Sequence, residues 1–372
     1  MDVKEFVEEL GVKFYTGVPD SQLKALCNYL IHTYGISKQH IIAANEGNAT
    51  ALAAGYYLAT EEIPLVYMQN SGIGNIINPV ASLLNEKVYE IPCIFVVGWR
   101  GEPGVHDEPQ HIFQGEITVS LLEAVGIHTC VISADTTLEE FRKSYHELKK
   151  FLDKGQSIAF VIRKGGLVYQ EKVVYENAYA MKREEVISDI VDIAGEDVIV
   201  STTGKASREL FEIREKNGQN HKHDFLTVGS MGHSSSIAME IALQKPDKKI
   251  WCIDGDGAAI MHMGAMAVIG KSKPDNLIHI VINNEAHETV GGMPTAANVI
   301  DFAEIAKACG YCRTACVEGQ QELRQELLKA KERQELSFIE VKCAIGARED
   351  LGRPTIPAVE NKRNFMKFLK EQ

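Results

Sequence analysis

The chain has 372 residues, 45% of them apolar, and a formal charge of −12. That length exceeds one ordinary hydrophobic core and calls for two domains of roughly 180 residues each, while the acidic balance, without a concentrated Lys/Arg stripe, excludes a nucleic-acid or anionic-membrane partner. No run approaches the about 18 uninterrupted apolar residues of a membrane span, and the start, MDVKEFVEELGVKF, lacks the basic flank and apolar stretch of a secretory leader, so a cytoplasmic protein is expected.

Strand-like runs alternate with helix-like stretches from end to end, the pattern of an α/β fold with doubly wound parallel sheets. The first half offers six runs: VKFYTG, IIAAN, IPLVYMQN, IPCIFVVG, HTCVIS and SIAFVIRKG. After the first, GVPDS puts Ser21 at a helix start, either as an N-cap or as a contact to a substrate carboxylate. After the second, NEGNATALAAGYYLA puts Glu46 between a strand and an Ala-rich helix. A carboxylate there either complements the free N–H groups of the first turn, or is aimed at a flat ligand for which the small residues clear space. After the fourth run, GWRGEPGVHDEPQH carries Gln110 and His111 on a polar loop, where a histidine can relay a proton. Asp107, Glu108 and His111 also resemble a metal trio, but Pro109 and the surrounding polar residues fit a solvated lid at least as well.

Residues 165–185 are polar and hold no confident helix or core strand, which sets domains at 1–175 and 176–372. The second half again has six runs: DVIVSTTG, DFLTVGS, KIWCIDG, LIHIVINN, YCRTACV and LSFIEVK. Thr16 and Thr203 open TGVPDSQL and TGKASREL at an offset of 187, and Gly72 and Gly257 follow strands at an offset of 185, which favours a duplicated α/β unit. Glycine and polar residues gather after strands in both halves, where open parallel sheets bind ligands, and a site between the two halves is expected. The cysteines, including Cys93, Cys130, Cys252 and the ACGYCRTAC trio, read as reduced core thiols.

WCIDGDGA ends one strand in Gly255, Asp256, Gly257 and Ala258, and LIHIVINNEAH ends the next in Asn283 and Asn284. Glycine admits a close ligand, N–H groups opening a helix bind phosphate, and Asp and Asn oxygens are hard donors suited to Mg²⁺. A metal-bound diphosphate follows. No G-x-x-x-x-G-K-[ST] loop supports a regulatory Mg²⁺-nucleotide module, and no G-x-G-x-x-G at the first strand supports a dinucleotide dehydrogenase.

Together with NEGNA, this arrangement resembles the thiamine diphosphate-dependent enzymes, whose two duplicated units are six-stranded parallel-sheet pyrimidine-binding and diphosphate-binding domains. The resemblance implies Mg²⁺ ligation by Asp256, Asn284 and the carbonyl of Ala286. The spacing is about one residue longer than usual, which keeps Asn283 open as a ligand. On the cofactor side it implies Thr203, Gly229, Met231, Gly255, Gly257 and Ala258, with Gly229 facing the aminopyrimidine and Met231 bending the cofactor. Glu46 then hydrogen-bonds the pyrimidine N1′ and promotes loss of the thiazolium C2 proton. MQNSGIGNIINP, HDEPQH, GSMGHSSS, NNEAHETVGGMPT and AREDLGRP resemble the branch of 2-oxo acid decarboxylases that acts on phosphonopyruvate or sulfopyruvate. That implies non-oxidative decarboxylation of phosphonopyruvate, with sulfopyruvate as the alternative. It also implies a homo-oligomer, a dimer at least, with sites shared between subunits. Ser21, Gln110 and His111 are substrate-side candidates, and His287 either faces the phosphonate or caps the strand end.

Overall fold

Runs rich in Val, Ile and Phe whose side chains are buried on both faces, such as Ile94–Gly98 and Ile158–Ile162, form the centre of a parallel sheet, because crossover helices cover both faces. The computed structural model describes residues 1–371 and divides into two compact units, Met1–Val174 and Tyr175–Gln372.

In the first unit, β1 (Tyr15–Gly17), β2 (His40–Ile42), β3 (Leu65–Gln69), β4 (Ile94–Gly98), β5 (His128–Ile132) and β6 (Ile158–Ile162) stand in the order β2-β1-β3-β4-β6-β5, all parallel. In the second unit the six-stranded sheet comprises β7 (Val198–Ser201), β8 (Asp224–Leu226), β9 (Ile250–Gly255), β10 (Leu277–Asn283), β13 (Arg313–Val317) and β14 (Ser337–Lys342), and again every pairing is parallel. A two-strand hairpin, β11 (Ala286–His287) and β12 (Met293–Pro294), interrupts the chain after β10. The order β13-β14-β10-β9-β7-β8 is the first unit's order in sequence terms: second, first, third, fourth, sixth, fifth. All twelve expected runs are strands, and the shared topology agrees with a duplicated unit. The hairpin was not expected, since four residues in two pairs leave no alternating pattern.

The strand order reverses between β1 and β3 and between β7 and β9, which opens a crevice at their carboxyl ends in each sheet. Everything functional described below leaves strands at that edge. The edge strands explain where the cysteine reading fails. Cys130 on β5 is only half-buried and Cys316 on β13 is exposed, because both strands are last in their sheets; Cys309, ending the helix Phe302–Cys309, is intermediate and Cys312, in the turn before β13, is exposed. Cys93 and Cys252 are core thiols as expected. No helix among the described residues is long and apolar enough to cross a membrane.

Candidate active site

In the first unit, β2 delivers Glu46 to the first turn of the helix Glu46–Thr60, which is capped by Asn45 accepting from the Asn48 N–H at 2.8 Å. Glu46 is buried, and burial raises its carboxyl pKa, opposed by the Asn75 amide at 2.6 Å and by its own backbone N–H. Gly72, following β3, is the other wall: a Cβ there would fall inside the Glu46 carboxyl. A charge-stabilising helix start would be solvated, so this carboxyl is not an ordinary capping group. The small residues after it differ from expectation. Ala49, Ala53 and Ala54 pack into the core with Val66 and Met68, bringing the helix close to the sheet instead of clearing ligand space.

Ser21 does not cap a helix; the helix Lys24–Tyr34 begins at Leu23, and Ser21 is exposed on the preceding turn. That turn is organised by Asp20, fully buried, which accepts from the Gln22 N–H at 3.0 Å and from the Gln69 amide. Gly98 at the end of β4 leaves the room its carboxylate occupies. The structure brings Ser21 together with the loop after β4: Arg100 Nη1 donates to Ser21 Oγ at 3.3 Å, and Arg100 is forked onto Asp107. Asp107 is thus a loop-organising group. Pro109 opens the helix Pro109–Ala124, placing Gln110 half-buried and His111 buried in its first turn. Burial, with the Arg100 charge, pushes His111 down to about 4, so it is neutral near pH 7.

In the second unit, Thr203 follows β7 and its Oγ1 accepts from the Gly229 N–H at 3.1 Å, joining the turns after β7 and β8. Met231 Cε and the His287 ring both close on Gly257, 3.3 and 3.0 Å from where a Cβ would be, whereas a Cβ at Gly255 would meet nothing. Ala258 is buried in the same short helix, Asp256–Met261. Asp256 is buried, accepts from Thr295 Oγ1 at 2.6 Å, and has no cationic partner among the described residues. Burial pushes its carboxyl up to about 7. A carboxylate buried without a positive partner, beside open space, is the donor chemistry that fits a hard divalent cation.

Register puts Ile282 opposite Gly255, so Asp256 and the Asn pair leave neighbouring strands side by side. Asn283 is occupied: its amide donates to Glu340 at 2.7 Å and its oxygen accepts from the Glu285 N–H at 3.0 Å. Asn284 lies in the turn beyond, where Glu285 takes φ +60, a left-handed conformation costly for a non-glycine residue. The Asn284 amide donates to Glu288 at 2.8 Å, and its oxygen accepts from the Ala286 N–H at 3.1 Å.

Glu288, which sequence reasoning missed, also receives Arg183 at 2.6 Å and Lys205 at 2.8 Å. Burial raises its carboxyl pKa, and the two cations outweigh that and hold it low. A carboxylate four residues after Asn284 was the only available signal. Arg100 was missed too, though an arginine directly after a strand could have marked it.

The fold and these turns define an enzyme class: models of the thiamine pyrophosphate enzymes match the chain twice, the N-terminal TPP binding domain over residues 3–124 and the C-terminal TPP binding domain over 202–341. A phosphonopyruvate decarboxylase of Streptomyces viridochromogenes is 30% identical over 97% of this chain and 92% of its own, and one from Streptomyces hygroscopicus 29% identical over 97% and 92%. A sulfopyruvate decarboxylase of Methanosarcina acetivorans is 27% identical over 97% of this chain and 95% of its own. The chain belongs to the thiamine diphosphate-dependent 2-oxo acid decarboxylase family.

Proposed function

We propose that the protein decarboxylates 3-phosphonopyruvate to phosphonoacetaldehyde and CO₂, as a cytoplasmic homo-oligomer serving phosphonate biosynthesis, with thiamine diphosphate and Mg²⁺ as cofactors. The observation that carries the chemistry is Glu46, a carboxyl buried against Gly72 at the strand ends, its pKa raised by burial, with the Asn75 amide donating to it at 2.6 Å. Such a carboxyl, aimed at a ring nitrogen, can exchange a proton with it. In this reading Asp256, Asn284 and the Ala286 carbonyl hold Mg²⁺. Thr203, Gly229, Gly255, Gly257 and Ala258 line the cofactor, and Met231 braces it against Gly257. Bound cofactor supplies the electron sink for the pair left when the C1–C2 bond of the substrate breaks. One proton then replaces CO₂ at that carbon. His111, neutral, can pass it by accepting at one ring nitrogen while donating from the other, with Gln110 orienting and Ser21 contacting the substrate.

Support for phosphonopyruvate comes from the two full-length relatives of that name. Sulfopyruvate remains the second reading because its Methanosarcina relative also aligns along almost its whole length. Fusion of both units in one chain therefore does not separate the branches. The deciding experiment measures CO₂ release from phosphonopyruvate, sulfopyruvate and pyruvate at one pH. The highest kcat/KM is expected for phosphonopyruvate; a higher value for either rival defeats the substrate assignment and leaves the cofactor chemistry standing.

A further inference from the structure

A 2-oxo acid with an anionic group on C3 needs a positive charge beside that group, and the first unit holds a cation built for the purpose. Arg100 lies just past β4 with its side chain 19% exposed. Nε donates to Asp107 Oδ2 at 2.8 Å and Nη2 to Oδ1, so one edge of the guanidinium fork is tied. Asp107 is itself fixed, accepting the backbone N–H groups of Gly101 and Glu108, each at 2.8 Å. The Nη1 amino group lies outside that fork and reaches the exposed Ser21 through a long bond of 3.3 Å.

The first turn of the helix Pro109–Ala124 is pressed against this loop. A Cβ at Gly101 would overlap the His111 carbonyl, and one at Gly115 would overlap the Gly101 carbonyl. His111 Nδ1 is buried and has no partner among the described residues. A guanidinium corner and a hydroxyl in hydrogen-bond contact are donors suited to a tetrahedral anion.

We propose that Arg100 is the specificity residue for the C3 anion, phosphonate or sulfonate, with Ser21 as a second donor and Asp107 as the positioning residue that fixes the guanidinium. This rests on the proposed 2-oxo acid decarboxylation for the rest of the substrate. A structural staple alone would need only the Asp107 edge; the remaining corner, aimed at an exposed hydroxyl, is what an incoming anion would engage. Fixing the fork beforehand lowers the ordering cost at binding, although Asp107 offsets part of the charge.

The holoenzyme variants Arg100→Gln, Arg100→Lys and Asp107→Asn test this, with kcat/KM measured for phosphonopyruvate, sulfopyruvate and pyruvate, and the affinity for phosphonoacetate by calorimetry. Loss of one charge-assisted contact predicts a fall of roughly 10- to 100-fold for the anionic substrates with Arg100→Gln, mainly in KM. The fall for pyruvate should be several-fold smaller, Lys should restore only part, and Asp107→Asn should raise KM for the anionic substrates. Equal losses on pyruvate, or unchanged discrimination, would overturn the assignment. If the wild type favours pyruvate or turns over none of the three, the substrate reading fails, and phosphonoacetate still decides the site. Binding lost in Arg100→Gln upholds the anion site, and equal or absent binding in both proteins overturns it.

Discussion

Glu46 is built by its neighbours more than by its own chemistry. Gly72 gives up the volume its carboxyl fills, and the Asn75 amide donates to it at 2.6 Å. Replacing Glu46 by Gln keeps size and burial, so thiamine diphosphate binding should persist while H/D exchange at the cofactor C2 slows by about 10²- to 10⁴-fold, the range of acid–base catalysis. Exchange at the wild-type rate in Glu46→Gln would remove it from the proton path. The position of Glu46 was legible in the chain because NEGN stands at a strand end; the glycine that shapes it, 26 residues on, was visible only as a repeat partner of Gly257. Buried histidines were not legible at all. His40 is enclosed between the Gly35 carbonyl at 2.8 Å and the Tyr67 hydroxyl at 2.9 Å, and burial pushes it down to about 4. Its folded pKa lies below the roughly 6.5 of an unfolded histidine, so its contribution to stability is present above pH 6.5 and is lost as pH falls toward 4. Urea unfolding at pH 7 and pH 5 should show wild type losing about 2 kcal/mol more than His40→Gln from this group. Equal pH sensitivity in the two proteins would show that His40 is not the group responsible.

Elements meet at Glu288. Arg183 opens the helix Arg183–Ala194, Lys205 opens the helix Lys205–Lys216, and Asn284 belongs to the turn beyond β10; one buried carboxylate gathers all three. Arg183 is further tied to Glu209 at 2.7 Å. Removing the carboxylate leaves two cations and an amide without their shared acceptor, so Glu288→Ala should destabilise by about 3–5 kcal/mol, as breaking buried pairs does. Glu288→Gln retains the volume and should weaken Mg²⁺ binding roughly 10- to 100-fold through loss of Asn284 orientation. Calorimetric Mg²⁺ titration in the presence of cofactor checks this, and unchanged affinity in the folded Gln variant would make the network purely structural. The central strands, such as β3, β4, β6, β9 and β10, could be read from apolar runs because burial on both faces writes itself into composition. Glu288 could not, since the turn, the hairpin β11–β12 and two helix starts converge only in three dimensions. The same holds for Asn283, whose strand position turns it toward Glu340 and leaves the turn to Asn284.

At the scale of the whole molecule the chain is one α/β design used twice, with each copy presenting a different set of groups beyond its strand ends. Ile112 and Phe113 are 49% and 67% exposed beside His111, and under the proposed homo-oligomer sedimentation equilibrium is expected to show a homodimer or larger assembly. A monomer at micromolar concentration would contradict that. The strongest test of the cofactor assignment is linkage between two ligands. Asp256 is buried without a cationic partner, and Asn284 points its amide nitrogen at Glu288, leaving oxygen for the turn side. In the proposed site two side chains and a carbonyl would leave part of the Mg²⁺ octahedron to water and phosphate oxygens, so metal and diphosphate are expected to bind more tightly together than apart. Thiamine diphosphate alone in EDTA, and Mg²⁺ alone, should each shift thermal unfolding little. Together, at about 100 times the dissociation constant, they should add about 2.7 kcal/mol of stability. Asp256→Asn still accepts from Thr295, so the fold should survive while the joint shift collapses. A cofactor-induced shift as large in EDTA as in Mg²⁺ would mean that the turn after β10 and the Asp256 helix bind the diphosphate without a metal, and the role given to both residues would have to be abandoned.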